Sequence, residues 1–274
     1  MQFHIRKNPI TPIILSIPHA GSYYPNEFLK YKSIDIKKLK KMEDYQTDTF
    51  VSEVDLNLTD IFTAKCSRAV VDLNRSKRSL DNSMFNSKVE IISNEEMLLI
   101  KSGLGVLPSK CYSEKIFKSK LPNLYISKML ERFYDPFHNK LTERINYLKS
   151  KFGIVYLIDI HSTPVLSNNN KKFPNIIIGD NFGKSSQEHF KNYLIEHFKN
   201  LDLSLSINCP YSGGYITRNY GKKDKNINVI QIEISKNYYM NETTFKLKKN
   251  LNKIKYMFRD IVEKLNIKKS IAAE

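Results

Sequence analysis

Short, unbroken apolar runs rich in Ile and Val punctuate this chain, and longer stretches with three- and four-residue apolar spacing separate them. Residues 12–18 (PIILSIP), 69–73, 154–160 (IVYLIDI), 175–178 and 228–234 (NVIQIEI) read as strands. Their apolarity is continuous rather than alternating, as a strand covered on both faces requires. Helical periodicity appears in 44–58, 123–151, 186–199 and 243–265. The last carries Leu247, Leu251, Ile254, Phe258, Ile261 and Leu265 on one face. Pro136 should bend or interrupt the second. Alternation of strand and helix predicts an α/β fold, a three-layer sandwich around a mixed, mostly parallel central sheet. Segments 81–94 and 103–110 are polar or turn-rich and read as loops over a site, and 168–172 (NNNKK) as a solvated loop. With no internal repeat and no Gly/Ser linker, residues 1–274 read as a single domain.

Composition changes this picture only at the margins. A chain of 274 residues with 41% hydrophobic content can bury a sizeable core. Its 44 Lys and Arg against 28 Asp and Glu leave a net charge of +16, which raises the alternative of a basic nucleic-acid-binding protein without catalytic activity. The excess is spread along the chain, and the aromatic residues lack the spacing of a base-stacking platform, so no nucleic-acid partner is expected. No apolar run approaches the roughly 20 residues of a membrane span. The opening MQFHIRK lacks an apolar signal core, and Cys66, Cys111 and Cys209 are odd in number and scattered. A cytoplasmic protein with reduced thiols is the expectation. Neither GxGxxG nor a phosphate loop ending in Gly-Lys-Ser/Thr occurs, which disfavours nucleotide binding.

The chemistry-bearing residues cluster at predicted strand ends, where open α/β sheets place their ligands. The first strand ends in Ser16-Ile-Pro-His19-Ala-Gly21; the run 154–160 leads through Asp159 to His161; the run 228–234 contains Glu233. Two histidines and an acid suit a catalytic zinc site, which takes three protein ligands and keeps a fourth position open. Asp159 shares the facing of His161 and reads either as a ligand or as the carboxylate that orients it. Glu43, Asp44 and Asp48 open the helical stretch after the first strand, and Asp44 and Asp48, four apart, share a helix face. Carboxylates also gather at helix starts for dipole reasons alone. Arg75 after Asn74 offers the planar fork that grips a carboxylate, or else pairs with a surface acid, and Arg68 adds a second charge. Gly213 and Gly214, in CPYSGGYITR, permit close backbone approach, a feature of tight turns as much as of binding loops. His138 reads as a packed, hydrogen-bonded core histidine.

Taken in order, SIPHAG, EDYQTD, VVDLNR, GLGVLP, YDPFH, DIHS, GDNFG, NCPYSGGYITRNYG and QIEISKNYYM resemble the N-formylglutamate amidohydrolase family over about residues 14–240. The wider resemblance is to zinc-dependent exopeptidases of the carboxypeptidase-like group, whose phosphorylase/hydrolase-like fold it implies. It further implies His19, Asp44 and His161 as ligands of one Zn2+ per chain, Glu233 as general base and Arg68 as partner of the oxyanion. Asn74, Arg75, Gly213, Gly214 and Arg218 would meet the substrate, and Asp48 and Asp159 would support the ligands. The chain departs from carboxypeptidases in having Ser22, not Glu, three residues after His19, so the acidic ligand comes from further along, and Asp48 is the rival of Asp44. The implied substrate is a small carboxylate-bearing N-acyl amino acid: N-formyl-L-glutamate, or alternatively another N-acyl amino acid or a small peptide. The sequence does not indicate an oligomeric state.

Overall fold

The computed structural model describes residues 1–85, 94–165, 173–201 and 203–271. The strands are β1 (Gln2–His4), β2 (Ile13–Ile17), β3 (Asp60–Thr63), β4 (Lys110–Cys111), β5 (Glu114–Lys115), β6 (Val155–Thr163), β7 (Ile176–Gly179), β8 (Leu205–Ile207) and β9 (Ile227–Ser235). The helices are α1 (Asn26–Tyr31), α2 (Ile36–Leu39), α3 (Asn94–Lys101), α4 (Asn123–Met129), α5 (Asp135–Phe152), α6 (Glu188–Asn200), α7 (Tyr215–Tyr220), α8 (Lys236–Tyr239) and α9 (Asn250–Ile271). By contact the chain sorts into two compact units, 1–2, 18–45 and 63–141 in the first and 3–17, 46–62 and 142–274 in the second.

The second unit carries the α/β architecture. Seven strands form one sheet in the order β1-β3-β2-β6-β9-β7-β8. β2 with β6, β6 with β9 and β7 with β8 run parallel, and β7 with β9 antiparallel, so the sheet is mixed and mostly parallel as expected. β2 and β9 are buried at every position, and β6 at all but Tyr156, because both sheet faces are covered. That is the structural counterpart of the unbroken Ile/Val runs. The apolar face of α9 buries Ile254, Met257, Phe258, Ile261, Val262 and Leu265. Phe258 stacks on Phe50 at 6.3 Å, and Phe50 meets the Tyr239 ring edge-on at 4.8 Å. Leu247 lies before this helix and is exposed, so the apolar stripe of 243–265 is shorter than its spacing suggests.

The first unit is mostly short helices, turns and the β4–β5 hairpin. Two expectations fail in its neighbourhood. Residues 69–73 are buried but form no strand: the Val70 and Val71 N–H groups both donate to Ser67 O, and Asp72 N–H donates to Val106 O, a turn anchored across the chain. Residues 44–58 are not one helix. A single 3-10 stretch, Thr47–Val51, begins after Gln46 turns left-handed at φ 61° and breaks any helical run from Asp44. The strand missed here is β3. Pro136 is accommodated without a break, because a π-helical stretch, Leu130–Tyr134, links α4 to α5 directly ahead of it. Residues 103–110 form turns leading into β4. The expected loop at 168–172, and 86–93 within 81–94, lie outside the described residues. Among the described residues no helix is long and apolar enough to cross a membrane.

Candidate metal and catalytic site

In the first unit a buried polar cluster forms around Asp72. The chain leaves β2 at Ile17 and reaches His19 two residues later, and the Asp44 N–H donates to the His19 carbonyl at 3.1 Å, which fixes Asp44 beside that histidine. His19 Nε2 lies 2.7 Å from Asp72 Oδ1, which also accepts the Asn74 N–H at 2.9 Å. Arg68 Nη2 donates to Asp72 Oδ2 at 2.7 Å, and Arg68 Nη1 stands 3.8 Å from Asp44 Oδ1. Burial alone would raise the Asp72 carboxyl, but Arg68, His19 and Arg75 outweigh it and hold it well below the usual carboxylate range. A carboxylate of that kind keeps the Nε2–H tautomer of His19 and leaves the Nδ1 lone pair to face Asp44.

The spacing of that pair tests whether it fits a metal. His19 Nδ1 and Asp44 Oδ2 are 3.4 Å apart, longer than a good N–H···O hydrogen bond. Two ligand atoms at about 2.1 Å from a tetrahedral zinc stand roughly 3.4 Å from each other. The buried His–carboxylate pair therefore has the edge length of a zinc site and the donor types that zinc takes.

In the second unit the pattern sits on the sheet itself. β6 runs through Thr163, so Asp159 and His161 are both inside the strand and, two apart, point to one face. His161 Nε2 lies 2.9 Å from Asp159 Oδ2, and Ser16 on β2, opposite Asp159 in register, donates its Oγ–H to Asp159 Oδ1 at 2.8 Å. The parallel register of β6 and β9 sets Asp159 opposite Gln231 and His161 opposite Glu233, so these four side chains share a face. Gln231 Nε2 donates to Glu233 Oε1 at 2.8 Å, while Gln231 Oε1 accepts the Gly214 N–H at 2.6 Å. Glu233 is thus a carboxylate anchored by a neighbouring amide.

The remaining expected residues fall into place with less economy. Arg75 donates its Nε–H to Leu104 O at 2.9 Å and its Nη1–H to Asn74 O at 2.8 Å, which fixes the plane of its guanidinium. Arg218, on α7, donates to Gly213 O at 2.9 Å. Gly213 has φ +117°, and a Cβ there would come 2.7 Å from the Thr217 side chain, so glycine is a backbone requirement of this turn. The visible duty of Gly214 is to orient Gln231. Asp48 is exposed and sits in the 3-10 turn, so it shares no helix face with Asp44, which is buried. Glu43, buried, takes the Tyr24 hydroxyl hydrogen bond. His138 is buried with Nε2 3.0 Å from Leu73 O and packs on Tyr134. Asp72, Gln231 and Ser16 were not singled out from sequence. The period-two spacing of Gln231 with Glu233, and the acid inside VVDLNR, were the available signals.

Among the described residues, His19, Asp44 and His161, all buried, make up a set that could hold a metal ion.

Comparison with known proteins gives the family and the fold. A family model described as N-formylglutamate amidohydrolase matches residues 11–240. An N-formylglutamate deformylase of Pseudomonas putida is 25% identical over 240 residues, covering 85% of this chain and 83% of that protein. An N-formylglutamate deformylase of Pseudomonas aeruginosa is 24% identical over 247 residues, covering 84% and 83%. The crystal structure of an N-formylglutamate amidohydrolase from Ralstonia eutropha superposes with a TM-score of 0.87 at 20% identity, covering 97% of this chain and 96% of that one. A protein from Agrobacterium tumefaciens superposes with a TM-score of 0.66 at 18% identity, covering 96% and 92%. These two structures share the fold. With the family model spanning most of its length, the chain belongs to the N-formylglutamate amidohydrolase family.

Proposed function

We propose that this chain is a zinc-dependent amidohydrolase that cleaves the formyl amide of N-formyl-L-glutamate to formate and glutamate. The observation that carries the reading is the pair of buried histidines, each backed at Nε2 by a carboxylate, with Glu233 opposite one of them in register. The names of the two Pseudomonas relatives support the substrate. The family match includes residues of both compact units, which supports treating 1–274 as one catalytic domain.

His19, Asp44 and His161 would hold the ion, one per chain. Zinc, when bound, supplies Lewis-acid polarisation of a carbonyl and lowers the pKa of water to about 7. Asp72 and Asp159 keep the two imidazoles in the tautomer that presents Nδ1. Glu233 takes a proton from the water that attacks the formyl carbon and delivers it to the departing nitrogen as the C–N bond breaks. Gln231 holds the Glu233 carboxylate in place through its Nε2–H. Arg68 balances negative charge developing on the carbonyl oxygen. Asn74 and Arg75 receive the substrate α-carboxylate, and Arg218 the side-chain carboxylate. The +16 charge favours approach of a dianionic substrate, an effect that salt should weaken.

The test is metal analysis joined to formate- and amine-release assays of zinc-loaded protein over a panel of N-acyl amino acids and small peptides. One zinc per chain with preferred release of formate from N-formyl-L-glutamate is the expected result. Preference for a different acyl group or amino acid would move the substrate assignment, and absence of metal-dependent turnover would overturn the reading.

A further inference from the structure

The first unit contains a cavity of about 280 Å³ that shares no lining residue with the proposed centre. Lys110, Lys115, Lys118 and Lys120 line it together with Ser109 and Asp81. Asp81 is the acid among them, and its Oδ1 already accepts the N–H and hydroxyl of Ser83, at 2.9 and 2.6 Å, where it caps a 3-10 turn. Among the described residues none of the four lysines has an ion pair with an acid; the hydrogen bond given for Lys110 Nζ is to the Lys101 carbonyl at 3.4 Å. Lys110 and Lys115 even stand directly opposite each other on the β4–β5 ladder, an arrangement in which like charges repel.

Ser109 supplies an independent indication. It is only 8% exposed, and its Oγ has no hydrogen-bond partner among the described residues. A buried hydroxyl without a partner is costly, and Ser109 belongs to the lining of this lysine-rimmed cavity.

We propose that this cavity binds a phosphate group, either free or carried by a small molecule. Several point-charge donors around one cavity, Lys110 half-buried and Lys115, Lys118 and Lys120 exposed, suit a doubly charged oxyanion with three acceptor oxygens, whereas a lone carboxylate is better matched by the planar fork of Arg, which the lining lacks. The volume lies just below the roughly 300–1,000 Å³ of ordinary small-molecule pockets, so a phosphate with a small attached group fits inside and a nucleoside would extend beyond it. The proposal stands independently of the reaction assigned to the zinc centre.

Isothermal titration of the zinc-loaded full chain with inorganic phosphate and with ADP, at low and high NaCl, tests it. Binding should weaken with salt, and Lys118→Ala/Lys120→Ala should weaken it by roughly tenfold or more while formate release from N-formyl-L-glutamate is unchanged. Ser109→Ala should weaken it by a smaller factor, and amide exchange should slow in 109–120 on adding the anion. Equal affinity for the two probes assigns a free phosphate, and tighter binding of ADP assigns a phosphate carried by a larger molecule. No binding of either, unchanged affinity in the lysine variant, or protection confined to other segments overturns the proposal.

Discussion

Replacing Asp72 by Asn is the sharpest single probe of how the centre is held, because the two side chains are nearly isosteric and differ in hydrogen-bond polarity. Asp72 accepts three donors: His19 Nε2–H and Asn74 N–H at Oδ1, and Arg68 Nη2–H at Oδ2. An Asn cannot accept all three. With its carbonyl kept towards His19 and Asn74, its NH2 meets the Arg68 donor at the 2.7 Å now spanned by an ionic hydrogen bond. With the amide flipped, an N–H faces Asn74 N–H, and His19 must shift its proton to Nδ1, the nitrogen that faces Asp44. The first arrangement costs stability, about 3 kcal/mol, since Arg68 is partly exposed and loses less than a fully buried cation would. Either arrangement weakens the imidazole as a ligand by about 10–100-fold, or 1.4–2.8 kcal/mol. Competition against a zinc chelator gives the affinity, and thermal melting of the zinc-free protein gives the stability separately. Zinc affinity within about twofold of the parent protein would remove Asp72 from the support of His19, whatever the melting temperature.

Three further outcomes follow from the same geometry. Glu233→Gln should keep zinc stoichiometry while formate release falls by about 10²–10⁴-fold, and unchanged turnover would exclude Glu233 as base. Arg75→Ala should raise KM chiefly for substrates with a free α-carboxylate; equal losses on neutral amides would reject that contact. Asp60→Asn should lower stability by about 3–5 kcal/mol, because the buried Asp60 takes Arg6 Nε at 3.0 Å and Arg144 Nε at 2.6 Å, and both cations would lose their counterion. The pH dependence has a definite sign: although burial opposes it, hydrogen bonds from Arg6 and Arg144 depress the Asp60 carboxyl below its usual value. Its stabilisation is therefore complete above about pH 4 and disappears as pH falls through the lower native value. Acid melting curves should show that loss in the parent protein and a flatter response in Asp60→Asn.

What the sequence made legible was whatever continuous burial writes into composition. β2, β6, β7 and β9 all announce themselves as Ile/Val runs because both faces of the sheet are covered there. The same burial misled at 69–73, where Ala69, Val70, Val71 and Leu73 are as apolar and as buried as a strand but are held by turns to Ser67. Apolarity reports burial, and only the hydrogen-bond partners distinguish an extended ladder from a coiled one. β3 escaped notice for the complementary reason: it is buried, but it opens on Asp60, which pairs with Arg6 and Arg144, and ends on Thr63, so only Ile61 and Phe62 carry an apolar signal. At 44–58 the spacing was helical, but the left-handed Gln46 broke the run, and with it went the argument that Asp44 and Asp48 share a face.

The site divides along the same line. The residues proposed to carry the chemistry, His19, His161 and Glu233, stood out because two histidines and an acid at predicted strand ends occur together, whereas a lone strand-end histidine is more often structural. Residues that hold them did not, since Ser16, Asp72 and Gln231 are ordinary polar residues until a partner is known. Their positions nevertheless follow from strand geometry once the register is given. A two-residue repeat on parallel neighbours places Ser16, Asp159 and Gln231 in one row across β2, β6 and β9, with His161 and Glu233 in the next. The lower row accepts and donates hydrogen bonds so that the upper row can present an imidazole and a carboxylate in fixed orientations. Exchanging Gln231 for Glu would replace the amide that donates to Glu233 at 2.8 Å from the lower row with a second carboxylate, losing that hydrogen bond and setting like charges together, which is why a neutral amide belongs there.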